Sequence, residues 1–128
     1  MKKRKTDSRT IRTKENITTS FVKLLCLFSI NQISVSDVTS LSSINRNTFY
    51  LHYSSLNALL NHLENKLIND FNNITLNKNI EELAFSPNIL LAEYINYLSQ
   101  NESYAKLLFL SSESDKILKK LQSSIIDI

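Results

Sequence analysis

Not one glycine occurs in the 128 residues, and Pro87 is the single proline. Tight β-hairpins draw on Gly or Asn-Gly for their positive backbone angles, so a sheet folded through such turns has almost nothing to turn on here. Helices joined through Ser and Asn need neither residue. The fold class expected is therefore all-α. The length suits one compact domain, or a small one joined to a partial second. A hydrophobic content of 42% is enough for a core. No apolar run approaches the ~20 residues of a membrane span. The basic opening "MKKRKTDSRTIRTKENI" is not followed by an apolar core and a small-residue cleavage site, so no signal peptide is expected. Cys26 has no second cysteine to pair with and lies in a Leu/Phe-rich stretch, as a small buried hydrophobe would. The expectation is a cytoplasmic protein with no membrane association.

Charge divides the chain. Up to Lys66 there are ten Lys/Arg against four Asp/Glu, a net of +6; from Leu67 onward five basic residues face eight acidic ones, a net of −3. A basic half beside an acidic half suggests a polyanion-binding head on a different kind of body. The plainer reading is a disordered basic tail that aids solubility, and residues 1–9 are expected to be a basic disordered arm.

Periodicity places the helices. Ile17, Phe21, Leu24, Leu25 and Phe28 recur at three- and four-residue steps, which predicts a helix from about Thr10 or Thr13 to about Phe28. In "SINQISVSDVTSLSS", Ser34 and Asp37 have the form of a capping box, predicting a short helix from Val35 to Ser42 with Val38 and Leu41 inward. Ser43 and Ile44 form a turn. Asn45 is a good N-cap for a third helix running to about Tyr53. Ser54 or Ser55 can cap a fourth, whose stripe of Leu56, Leu59, Leu60, Leu63, Leu67, Phe71 and Ile74 is the clearest in the chain. The pattern loosens through "NNITLNKNIEEL", and Pro87 can begin the next element. Three further helices are expected over residues 89–99, 102–110 and 115–126. Residues 10–55 form one unit with its motif at about 34–53, residues 56–79 a long connecting helix, and residues 80–128 a C-terminal helical unit.

The segment "INRNTFYLHY" carries the chemistry. Two short helices joined by a three-residue turn after a longer helix are the arrangement of a helix-turn-helix, whose second helix enters the DNA major groove. Ile44, Phe49 and Tyr53 pack inward. Asn45, Arg46, Asn47, Thr48, Tyr50 and His52 are left outward. Asn pairs with adenine, Arg with guanine, and hydroxyls with phosphate or bases. The helix N-terminus adds free N–H groups and partial positive charge. Each residue also has a plain structural reading: Tyr50 as a packing aromatic, His52 as a hydrogen-bonding histidine, Arg46 as a solvated charge.

The stretch from about Thr10 to Asn69 resembles the DNA-binding domain of the TetR/AcrR transcriptional regulators. The resemblance is carried by "ISVSDV", by "NRNTFYLHY" and by the Leu-rich helix that follows. With "ESYAKLLF" it further resembles the branch that includes activators of dihydroxyacetone-kinase genes. By the family pattern Thr48, Tyr50 and His52 would touch phosphates or base edges. Asn45, Arg46 and Asn47 would approach the bases, Ser36 would meet the backbone, and Lys14 would reach flanking phosphates. Two positions depart from the pattern. Ser43 stands where the family commonly has Gly, and "SSLN" stands where it often has Lys.

The resemblance implies a C-terminal effector-binding and dimerisation domain. An effector among helices four to seven would shift helix four and change the spacing of two heads that must meet half-sites about 34 Å apart. Phe85, Tyr94, Tyr97, Tyr104 and Phe109 are the candidate pocket aromatics, with ordinary core packing as the alternative for each. The chain ends at "SSIIDI", and the two further helices of the family's usual dimer interface are not found in it. Ile125, Ile126 and Ile128 suggest burial against a partner. The function expected is a homodimeric DNA-binding regulator, a repressor relieved by a small-molecule effector, with double-stranded operator DNA as partner. The alternative is a protein-interaction coactivator or adaptor on a helix-turn-helix-like scaffold. No cofactor, metal site or catalytic set is expected. Only His52 and His62 are present, with neither a metal-ligand spacing nor a nucleophile elbow.

Overall fold

A computed structural model describes the backbone of residues 2–126 and the side chains of residues 8–124. Among the described residues every regular element is helical: α1 (Lys2–Leu25), a 3-10 turn (Ile30–Gln32), α2 (Val35–Ser42), α3 (Arg46–His52), α4 (Leu56–Leu76), α5 (Ile80–Phe85), α6 (Asn88–Gln100), α7 (Glu102–Phe109) and α8 (Ser114–Ile126). No helix among them is long and apolar enough to cross a membrane.

Two boundaries differ from the sequence reading. α1 begins at Lys2, not near Thr10 or Thr13, so residues 2–9 continue a helix where an arm was expected. Lys and Arg are good helix formers and no Gly or Pro interrupts them. α1 also stops at Leu25, leaving Phe28 46% exposed beyond its end. α5 is an addition: the Asn79 side chain accepts from the Glu82 amide at 2.7 Å, a cap whose partner three residues on is visible in "NIEE". Leu41, expected inward, is 45% exposed. Ile125, Ile126 and Ile128 lie outside the described side chains.

Helix α1 packs on α2 and α7, while α4 packs on α6 and α8. The backbone N–H of Ser112, in the α7–α8 turn, donates to the Leu25 carbonyl at 2.8 Å and ties that turn to the end of α1. One hydrophobic cluster results. Ile17, Phe21 and Leu25 of α1 meet Val38, Phe49 and the α4 stripe, and the same cluster takes in Leu107, Leu108, Ile117 and Leu121. Two polar ties reinforce the far side. The Lys120 ammonium reaches the buried Glu64 carboxylate at 2.5 Å, and Ser124 donates to Asn72 at 3.0 Å.

Candidate nucleic-acid interface

The turn between α2 and α3 depends on an unusual backbone angle. Ser43 sits in the left-handed region at φ 58°, ψ 40°, the one positive-φ residue among those described. The Ile44 amide then closes back on the Thr39 carbonyl at 3.1 Å. Both helices are capped as their sequences predict. Ser34 Oγ accepts from the Asp37 amide at 3.1 Å while Asp37 Oδ2 accepts from the Ser34 amide at 2.9 Å. Asn45 Oδ1 accepts from the Thr48 amide at 2.8 Å. Asn16 of α1 donates its side-chain amide to the Ser42 carbonyl at 2.7 Å, which locks the end of α2. Phe49, fully buried, and Tyr53, nearly so, anchor α3, with ring centroids 5.9 Å apart.

What α3 leaves outward is polar apart from Leu51. Arg46 extends along the surface to join α2: its guanidinium lies 3.5 Å from Ser36 Oγ and 3.4 Å from the Tyr50 hydroxyl, and 5.9 Å from the Tyr50 ring centroid. These contacts are long, so the side chain is collected rather than clamped. Tyr50 stands edge-on to Phe49 at 5.4 Å and stays 46% exposed. Asn45 and Asn47 are exposed, Thr48 and His52 half-buried. Of the eight residues expected here, Ser36, Arg46 and Tyr50 are brought together by contact, Asn47 is exposed on the same helix, and Thr48 and His52 lie roughly 200° or more round α3 from Arg46. Asn45 differs, because its carbonyl oxygen is taken by the cap and only its N–H₂ remains, whereas a bidentate adenine contact needs both. Lys14 differs too. It lies two residues, roughly 200° of helix, from Asn16, and lines a separate cleft. Leu51, 80% exposed on α3, was not foreseen. It sits between two outward-pointing residues and offers an apolar surface of the kind that meets a thymine methyl.

The five C-terminal aromatics do not converge. Phe85 is 91% exposed and Phe109 57% exposed, since α5 and the end of α7 present them to solvent. Tyr94 stacks on Phe71 at 4.6 Å and its hydroxyl bonds Thr75; Tyr97 meets Phe71 edge-on at 5.5 Å. These two pack against the α4 stripe as part of the core margin. The Tyr97 hydroxyl donates to Asp70 at 2.6 Å, and burial together with that carboxylate raises its pKa above the ordinary tyrosine value. Only Tyr104 lines the cleft that holds Lys14. Burial, then the Asp70 charge and Tyr53, push its pKa up to about 12. The cleft measures about 660 Å³ and lies between α1, Tyr53, the middle of α4 and the α6–α7 junction. It was not legible in the sequence, because its walls come from positions as far apart as Ile11 and Lys106.

No family model matches the chain, nor does any curated protein or solved structure. The resemblance to the TetR/AcrR regulators therefore stands on the motif residues themselves.

Proposed function

We propose that the chain is a sequence-reading DNA-binding transcriptional regulator, a repressor in its simplest form, acting as a homodimer under control of a small ligand. In this reading α2, the Ser43 turn and α3 are a helix-turn-helix. The observation that carries it is the division of α3: Phe49 is wholly buried, while the exposed Arg46 and Tyr50 are collected with Ser36 of α2 on one side. Arg46 is suited to the O6 and N7 edge of guanine, and the Tyr50, Thr48 and Ser36 hydroxyls to phosphates. The capped start of α3 presents its remaining N–H groups to a phosphate. A net of +6 up to Lys66 supplies long-range attraction. Two copies would meet two half-sites one turn of DNA apart.

Fluorescence anisotropy with DNA from upstream of its own gene, at two salt concentrations and against excess unrelated DNA, tests this. Binding that survives the competitor and drops in His52→Ala and Tyr50→Phe supports the reading. A steep salt slope counts the phosphate contacts. Binding lost to any competitor, or unchanged in both variants, overturns it. The adaptor reading would then lead. It is favoured by apolar residues set out on α5, where Ile80 is 85% and Phe85 91% exposed.

A further inference from the structure

The cleft between α1, α4 and the α6–α7 junction serves none of the contacts argued for α3. Its volume of about 660 Å³ falls in the range that holds small organic ligands. Its floor is apolar, with Val22 and Leu63 buried. Tyr53 lines it at only 8% exposure, and among the described residues its hydroxyl has no hydrogen-bond partner. Every fully enclosed side-chain polar atom among those residues does have one, so the Tyr53 hydroxyl is open to solvent, on a residue that lines the cleft. The charged walls are unequal. Lys106 is paired with Glu102 at 3.1 Å, whereas Lys14 and Lys23 make no ion pair among the described residues. They face a single remaining carboxylate there, Glu15. The two ammonium groups stand nine residues apart on α1, about 13.5 Å of helix.

We propose that this cleft binds a small organic monoanion with a flat apolar body: the body over Val22 and Leu63, a polar edge at the Tyr53 hydroxyl, and the anionic group at an unpaired lysine of the α1 wall. A neutral or cationic molecule of the same shape gains the apolar contact and loses the charge-assisted one. The site also has a mechanical consequence. Tyr53 ends α3, and the opposite wall is the α6–α7 junction, so an occupant spreads the C-terminal helices from the element that positions α3. That consequence rests on the DNA-binding reading; occupancy of the cleft does not.

The test uses the full chain and three probes of one shape: naphthalene-1-carboxylate, naphthalene-1-carboxamide and naphthalen-1-ylmethylammonium. Each is titrated while backbone amide resonances are followed by NMR. The carboxylate is expected to move the amides of Thr18, Tyr53, His62 and Tyr104 saturably, and to bind about tenfold more tightly than the other two. Lys14→Gln or Lys23→Gln abolishes that preference, and Tyr53→Phe weakens binding several-fold with a spectrum that otherwise stays native. Absence of saturable shifts at those amides overturns the proposal. So does equal binding of the three probes, or a preference that survives both lysine substitutions. Anisotropy on DNA with and without the carboxylate separates the two ideas. A chain that binds the carboxylate but no DNA keeps the site and loses the regulator reading; one that reads DNA but ignores the carboxylate does the reverse.

Discussion

Ser43 shows how much one residue's backbone decides. A left-handed serine costs about 1–2 kcal/mol that glycine does not pay. The chain nevertheless holds serine at φ 58°, because the Ile44–Thr39 bond and the buried Phe49 beyond it leave no other path. Ser43→Gly is expected to stabilise the protein by about 0.5–1 kcal/mol, less than the full strain because glycine also loosens the unfolded chain. Its melting temperature rises by a few degrees. An unchanged or lower midpoint in calorimetry would refute the strain. The Glu64–Lys120 pair makes a second residue-scale case. Glu64 is 4% exposed, and the Lys120 side chain is 54% exposed. Lys120→Met leaves a buried carboxylate without its cation and is expected to cost about 1–2 kcal/mol, discounted for the water at Lys120. Adding Glu64→Gln to that variant should recover part of the loss in urea melts; a further additive loss would count against the pair.

At the scale of the element, α3 is seven residues long and too short to persist alone, so its cap and its buried ring sustain it. Asn45→Ala removes the acceptor of the Thr48 amide and should cost about 1 kcal/mol, whereas Asn45→Asp keeps the cap. The aspartate also sets a negative charge where a phosphate is proposed to sit. Asn45→Asp should therefore melt like the parent while its affinity for DNA falls; equal DNA affinity in the two proteins would place the phosphate elsewhere. The tyrosines of α6 and α7 near Asp70 of α4 give the fold a pH signature. Tyr97 and Tyr104 both titrate above the ordinary tyrosine value of about 10, so the folded state holds their protons longer than the unfolded state does. The stability they contribute is full below pH ~10 and falls as pH rises through about 12. Tyr104→Phe should flatten that alkaline decline in thermal melts, and a slope identical to the parent's would show that Tyr104 does not carry it.

Over the whole molecule, one core joins the element proposed to read DNA to the helices that follow. Phe21 and Leu25 share a cluster with Leu107, Leu108 and Ile117, and the Ser112–Leu25 bond closes it. Leu107 is fully buried, so Leu107→Ala is expected to cost about 2–5 kcal/mol. Helicity and tyrosine fluorescence should still lose their signals together, because no boundary in the core lets one half unfold first. Separate midpoints would show two independently folding parts.

Element type was legible because it is written locally. The lack of glycine ruled out tight hairpins, the Ser34–Asp37 pair and Asn45 marked the starts of α2 and α3, and the Leu stripe of α4 is buried except at its last turn. The surface shared by Ser36, Arg46 and Tyr50 was legible for the same reason, since its members lie within fifteen residues of one another. The grouping of residues far apart in the chain was not. That Phe85 and Phe109 face solvent, that Tyr94 and Tyr97 pack on Phe71, and that Lys14 shares a cleft with Tyr104 follow from how helices pack across the core. Periodicity states which face of a helix is apolar. It is silent about which other helix that face will meet, because that depends on the summed burial of every pairing at once.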